Sequence, residues 1–289
     1  MNNPTTAPVS AGRALTAQYP RLLSIAGSDS GGGAGVQADL KTFAALGCFG
    51  TTAITALTAQ NTTGVRAIHA VPLSMLADQI DAVVEDIGVD AVKIGMLHSA
   101  PTIETVAAAL ERHHLRQVVL DPVMVATSGA ALIDPSAIAA LVRLMFPHAL
   151  LVTPNLHEAA MLVGRPLHTE ADMADAARQL LEMGARAVLL KGGHLAGGTV
   201  ADLLLQPGLP PLWLRAPRID TPNTHGTGCT LSSAIAARLA LGDDLPQAVR
   251  DACDFVRAAL AAGASVRTGA GSGPLNHGFA PQPMRLRPL

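Results

Sequence analysis

An α/β fold with a mainly parallel, doubly wound sheet follows from three observations on the sequence. Short apolar runs alternate with stretches of helical periodicity along most of the chain, the pattern of repeated βα units. Polar or glycine-rich signatures recur just after those runs, at Asp29, Met96, Asp121, Asn155, Lys191 and Cys229. Open α/β sheets bind their ligands at that end of the strands. Composition agrees: of 289 residues 49% are hydrophobic, 15% charged and 2% aromatic, so a large core must be filled by Ala, Leu, Val and Gly.

The elements justify themselves in order. Residues 1–20 carry Pro, Thr, Ser and Asn without an apolar h-region and are expected to form a flexible arm. Leu22–Ala26, a glycine-rich loop over Gly27–Gly35 and a helical stretch over Val36–Leu46 open the first βα unit. Gly50–Ala59 is rich in Thr and Ile and reads as a strand. Gln60–Gly64 is a polar turn and Val65–Val71 is extended again, so this segment could leave the sheet as a flap over a pocket. Helices are predicted over Leu73–Ile87, Pro101–His114, Pro135–Phe146, Glu170–Glu182 and Pro246–Ala262. Further strands are predicted over Ala91–Ile94, Gln117–Leu120, Ala149–Val152 and Ala187–Leu190. Thr199–Leu205 and Leu212–Ala216, joined by a Pro/Gly turn, read as an edge hairpin. One domain spans 21–268, and the Gly/Pro-rich tail, 269–289, is expected to be irregular.

Several function classes are set aside by the same composition. A net charge of −2 leaves no footprint for nucleic acid. Three cysteines (Cys48, Cys229, Cys253) lie too far apart for a zinc site or a disulfide framework. No apolar run reaches the ~18 residues a membrane span needs. A cytoplasmic, soluble protein is expected.

The stretch around which the chemistry is organised is Asp220–Cys229, feeding a helix that runs to Leu241 before Gly242. Gly226 and Gly228 let backbone N–H groups crowd together at the helix N-terminus, a setting for a phosphate. Cys229 stands at that terminus, where a thiol pKa is expected to be pushed down and a thiolate made available as a base. An anion site with a base inside it suits phosphoryl transfer to a hydroxyl. The glycine loop at 27–35 lacks the G-x-G-x-x-G spacing, and no Gly-Lys pair exists for a Walker A motif. Its glycines instead allow close approach to a small molecule, with Asp29 and Asp39 as the nearby polar groups. Of only three lysines, Lys41, Lys93 and Lys191, the last ends a strand beside two glycines, placed to neutralise phosphate.

Taken together, Ala26–Thr42, Thr58–Asn61, Lys93–Met96, Asp121–Met124, Thr153–Ala159, Lys191–His194 and His225–Ser232 resemble, in order, the hydroxymethylpyrimidine/phosphomethylpyrimidine kinases of thiamine biosynthesis, which are ribokinase-like enzymes. The resemblance runs from about Leu22 to Leu260. It implies a ribokinase-like three-layer α/β/α sandwich with a small flap, and two successive phosphoryl transfers from ATP. The first converts 4-amino-5-hydroxymethyl-2-methylpyrimidine to its monophosphate and the second makes the diphosphate.

By the same resemblance Gly27, Ala34, Asp39, Thr58, Gln60, Met96 and Val123 would meet the pyrimidine. Gln60 can both donate and accept, matching a ring nitrogen beside an exocyclic amine. Thr58 stands where the family typically has Val. Cys229 would be the general base, where most ribokinase-like enzymes use an aspartate, and Gly226, Thr227 and Gly228 the anion hole. Asp121, Asn155, Lys191, Thr224, Gly226 and Gly228 would meet the nucleotide. Asn155, Glu158 and Asp121 would hold Mg²⁺ through water. His194 and His225 receive no chemistry.

Two alternatives stay open: a pyridoxal kinase of the same branch, and a non-catalytic ligand-binding protein on this scaffold, against which Cys229, Lys191 and the Asn155/Glu158 pair speak. At this length no fused thiamine phosphate synthase domain is expected. The apolar strand Thr51–Leu57, if exposed at a sheet edge, would favour a homodimer.

Overall fold

The computed structural model describes residues 15–125, 132–193, 195 and 197–289. His194 and the first 14 residues of the arm lie outside the described residues. In chain order the strands are β1 (Ala17–Gln18), β2 (Arg21–Asp29), β3 (Phe49–Asn61), β4 (Gly64–Ala70), β5 (Ala91–Ile94), β6 (Val118–Leu120), β7 (Leu151–Val152), β8 (Val188–Leu190), β9 (Thr199–Leu205), β10 (Leu212–Pro217) and β11 (Arg287–Pro288). The α-helices are α1 (Gly35–Ala45), α2 (Leu73–Ala82), α3 (Ala100–Arg112), α4 (Ile138–Ala140), α5 (Leu156–Val163), α6 (Glu170–Glu182), α7 (Thr227–Ala240) and α8 (Leu245–Gly263).

Nine strands form one sheet in the order β10-β9-β8-β7-β6-β5-β2-β3-β4. The run from β8 through β3 is parallel, and β4, β9 and β10 are antiparallel additions at the two ends. β2 is buried almost throughout, as a central strand covered on both faces should be. Leu23 and Ile25 point into one core, with Leu76, Ile103, Phe146, Met173 and Leu180 from the helices on that face. Leu22 points into the other, with Phe43 of α1, Leu231 and Ile235 of α7 and Phe255 of α8. The result is the expected three-layer α/β/α sandwich, with alanine-rich α7 packed closely under the sheet.

Two predicted helices are less regular than expected. Leu73–Ile87 is α-helical to Ala82 and then makes a π turn, Val83–Ile87, before Gly88. The stretch 135–146 divides into a 3₁₀ turn (Pro135–Ala137), α4 and a second π turn (Leu141–Met145). Apolar periodicity reports which face is buried; it does not distinguish i→i+4 bonding from its neighbours.

The Thr51–Leu57 stretch lies within β3, paired with β2 on one side; on the other side β4 covers only Ala56 and Leu57, and the outer main-chain groups of Ile54 bond to the Gln79 side chain of α2. A polar turn after Asn61 lets the chain fold back and cover the distal part of its own strand, from Ala56 to Asn61, with β4. β3 and β4 together form the flap.

The tail is short of regular structure but tied to the domain. The Gln282 and Arg285 N–H groups donate to Ala45 and Gly47 carbonyls, and β11 pairs with β1. Gly273 O accepts from His225 N–H at 3.1 Å, and His277 Nε2 lies 2.9 Å from Thr230 Oγ1. Burial, with Lys41 adding to it, pushes the His277 pKa down to about 4. Between its unfolded value of 6.5 and about 4 the unfolded chain therefore binds a proton that the folded chain refuses, and stability falls as pH drops through that window. Urea melts at pH 7 and pH 4.5 should show a smaller acid loss in His277→Gln (H277Q) than in the wild type.

Candidate active site

The carboxyl ends of the strands open on a cavity of about 1010 Å³. At one end β2 passes into the glycine loop, which is wound around a carboxylate. Asp29 Oδ1 accepts from Gly31 N–H at 2.8 Å, and Oδ2 accepts from Gly33 N–H at 3.1 Å and Ala34 N–H at 2.8 Å. His225 Nε2 sits 2.8 Å from the same Oδ2. Burial alone would raise the Asp29 pKa, but His225 and the N–H groups of Ala34 and Gly31 more than offset it and hold the carboxylate below its usual range. Asp29 thus fastens the glycine loop to the Cys229 loop.

The flap closes over this end. Met96, Ala56 and Leu132 form a small apolar cluster with Ile68 and Val123 against it. Met96 and Val123 line the cavity with Gly27, Ala34, Thr58 and Gln60. Gln60 sits between two groups whose protons point elsewhere: Thr58 Oγ1, which donates to Ser28 O at 2.8 Å, lies 3.2 Å from its Oε1, and His225 Nε2, which faces Asp29, lies 3.4 Å from its Nε2. The hydroxyl that sets Thr58 apart from Val therefore ties β3 to the Ser28 carbonyl of β2, beside the amide that would read a heteroaromatic ring. His225, given no chemistry by the sequence, touches Asp29 and Gln60 and lines the cavity. Its one sequence signal was its place directly before Gly226. His225→Ala (H225A) should loosen both loops, raising KM for the ring substrate by on the order of tenfold, the effect of losing about one charged hydrogen bond. Initial-rate kinetics would read this, and an unchanged KM would speak against the role.

Asp39, expected to meet the substrate, does not line the cavity. It is fully buried on α1, takes hydrogen bonds from Ser24 and Ser233, and is ion-paired with Lys93. The helical period that carries α1 past the glycine loop turns position 39 inward beneath β2.

The anion corner lies at the start of α7. Gly226 is the N-cap in a left-handed conformation, φ 82° and ψ 8°, and the helix proper begins at Thr227. The first N–H groups of such a helix lack helical acceptors and carry its positive end. Lys191, at the end of β8, donates to Asp121 Oδ1 at 2.8 Å. A Cβ on Gly228 would stand 3.2 Å from Lys191 Nζ, so the ammonium and the helix terminus converge. Burial would lower the Lys191 pKa, but Asp121 and Glu158 raise it above its ordinary value, so it is charged. Thr224 lines the same corner.

Cys229 corrects one expectation. Its thiol pKa is pushed up to about 11, because burial outweighs Lys93 and the N–H of Gly35, which pull it down, while Asp39 and Asp121 push it further up. Cys229 is half-buried at the cavity wall, and the desolvation there adds more to a thiol pKa than a helix N-terminus subtracts, so exposure, which the sequence does not report, decides the sign.

The Asn155/Glu158 pair also has a structural task. Asn155 Oδ1 accepts from Glu158 N–H at 2.9 Å and Glu158 Oε2 accepts from Asn155 N–H at 2.7 Å, a complete capping box on α5. Both nevertheless line the cavity with Asp121. Burial raises the Glu158 pKa to about 7; Lys191 lowers it and Asp121 raises it. Two buried carboxylates beside one ammonium form an all-oxygen donor set short of positive charge, which fits a hard cation held through water.

Comparisons with known proteins agree with this geometry. The family model for phosphomethylpyrimidine kinase matches residues 29–276. A hydroxymethylpyrimidine/phosphomethylpyrimidine kinase from Rhizobium meliloti is 54% identical over 88% of this chain and 96% of its own length. The thiamine biosynthesis bifunctional protein ThiED of Geobacter sulfurreducens is 52% identical over 94% of this chain, which spans only 55% of that protein. Among solved structures, the ADP complex of Bacillus subtilis pyridoxal kinase superposes with a TM-score of 0.83 at 37% identity, covering 90% of this chain and 98% of that one. No helix of the described residues is long and apolar enough to cross a membrane. With its ribokinase-like sandwich, its Gly-Thr-Gly-Cys helix terminus and a match over most of its length, the chain is a kinase and belongs to the phosphomethylpyrimidine kinase family.

Proposed function

We propose that the chain transfers phosphoryl groups from ATP to 4-amino-5-hydroxymethyl-2-methylpyrimidine, first on its hydroxymethyl oxygen and then on the resulting phosphate. The observation that carries this reading is the continuity of one cavity. It runs from a flat apolar slot with an amide at its wall, Met96, Val123 and Gln60, to the α7 terminus with Cys229 and Lys191. A ring lodged in the slot would direct its hydroxymethyl arm at Cys229.

Cys229 takes the hydroxyl proton in the first transfer. Since its thiol is neutral at pH 7, its proton passes to solvent before the transfer, and the thiolate so formed takes the hydroxyl proton. The N–H groups of Thr227 and Gly228 face the charge building on the transferred group, and Lys191 offsets the charge of the departing phosphate. Glu158, Asp121 and Asn155 would hold Mg²⁺ through water, and that ion supplies charge neutralisation on the nucleotide phosphates. In the second transfer the acceptor is already an anionic oxygen, so Cys229 has little to do.

Mass analysis after incubation with Mg-ATP and the pyrimidine tests the reading: a monophosphate followed by a diphosphate supports it. Pyridoxal is the second substrate worth testing, because a pyridoxal kinase shares the fold and both substrates are flat heteroaromatics with a hydroxymethyl arm. A monophosphate alone, with faster turnover of pyridoxal, would replace the proposal with a vitamin B6 kinase. A cytoplasmic homodimer remains part of the proposal, with the half-exposed edge of β4 as its candidate contact. A monomeric mass by light scattering would remove the dimer.

A further inference from the structure

Lys93 is fully buried, although it is one of only three lysines in the chain and sits in the central strand β5. Its ammonium donates to both carboxylate oxygens of Asp39 at 2.9 Å. Ser24 of β2 donates to Asp39 Oδ2 at 2.6 Å, and Ser233 of α7 donates to Oδ1 at 2.7 Å. Every member of this network is at 0% exposure. Sealing an ion pair in a core costs desolvation that its attraction barely offsets, so stability does not account for it.

Its position does. Ser233 lies four residues beyond Cys229 on α7, and residues so spaced share one face of a helix. Lys93 and Cys229 both line the cavity, while Asp39 lies behind. The charged groups acting on the thiol are Lys93 from β5, Asp39 from α1, Asp121 beyond β6 and Lys191 at the end of β8, with the Gly35 N–H from the start of α1. Of these, Lys93 exerts the largest pull toward the thiolate. Its charge does not titrate in the working range, because Asp39 holds the ammonium above its ordinary pKa despite burial.

We propose that Lys93 is a positioning residue that keeps a fixed positive charge against the Cys229 thiolate, and that Asp39, clamped by Ser24 and Ser233, sets how much of that charge the thiolate feels. The inference gives Cys229 a charge partner and rests on the reading of that thiol as the proton acceptor. It makes opposite predictions for two substitutions in one network, which a merely structural role does not.

The test is the rate of iodoacetamide alkylation of Cys229 at pH 9, followed by peptide mass mapping on the substrate-free full chain, with folding checked by circular dichroism. A one-unit rise in thiol pKa cuts the thiolate about tenfold, and the compensating gain in nucleophilicity leaves about a threefold fall in rate. Lys93→Met (K93M) should slow alkylation by about threefold or more, Asp39→Asn (D39N) should accelerate it by a comparable factor, and Lys93→Arg (K93R) should stay near the wild type. Rates that move the same way in K93M and D39N, or do not move, overturn the proposal. If either single variant fails to fold, the charge-neutral double variant K93M/D39N serves: alkylation slower than wild type supports the proposal and an unchanged or faster rate overturns it. Because alkylation needs no substrate, it stands apart from the proposed function. An alkylation shift that leaves the pH profile of the first transfer unmoved would retire Cys229 as the base while leaving the charge coupling intact.

Discussion

Cys229→Ala (C229A) is expected to lower the first transfer by on the order of a hundredfold or more, the usual share of a positioned general base, and the second by less than about tenfold. The asymmetry follows from the acceptor. A hydroxyl must shed its proton as the new bond forms; a phosphate oxygen arrives without one. The Cys229 pKa of about 11 adds a second signature. Below that value the thiolate fraction grows about tenfold per pH unit, and kcat/KM reports the free enzyme, so kcat/KM of the wild-type first transfer should climb with pH while the second stays nearly flat. In C229A the climb should vanish. Separate kinetics on the pyrimidine and on its monophosphate measure all of this. Equal losses in both steps, or a pH slope that survives the substitution, would count against a base role.

How far this site was legible from the sequence depends on what each residue responds to. β5 and α6 were placed to the residue, α6 by its helical periodicity over 13 residues and β5 by a short run that stops at Gly95. Glycine spacing singled out Gly226–Cys229, a strand end singled out Lys191, and the family resemblance alone singled out Gln60; all of them line the cavity. The corrections to Asp39 and Cys229 have one origin, namely that burial is a property of the whole fold. Asp39 carries the same carboxylate as Asp29 ten residues earlier, yet one is sealed under the sheet and the other ties two loops together. Cys229 stands at a helix N-terminus as expected, yet desolvation reverses the shift that position suggests. Asn155 and Glu158 fit a local rule, the capping box, that their spacing announces as plainly as it announces a metal. His225 was passed over because its partners lie 165 and 196 positions away. No local window contains that information.

The same long-range meeting makes Gly226 the least replaceable residue of the loop. Its backbone is left-handed, and a Cβ there would overlap the carbonyl oxygen of Gly33, stand 2.8 Å from its carbon and 3.2 Å from the Cα of Ala34. These are main-chain atoms of the glycine loop that Asp29 holds from its other side, so no rotamer change relieves the clash. Gly226→Ala (G226A) must push the two loops apart, displacing the α7 terminus from Lys191 and His225 from Gln60. Misplacement by about 1 Å costs on the order of 10² in rate, and loss of an oxyanion donor another 10² or more. Both transfers should therefore fall by at least about 10³, unlike the split expected for C229A. Gly242 supplies the control: its φ is 101°, but nothing lies within 4 Å of its Cβ position. Gly242→Ala (G242A) should lose about 1–2 kcal/mol of stability to the left-handed backbone and keep its turnover. Paired melts and kinetics on the two variants separate backbone strain, which both suffer, from the loop contact that only Gly226 makes. If G226A retained the wild-type rate on either substrate, the junction of the two loops would not be where the phosphoryl group is held.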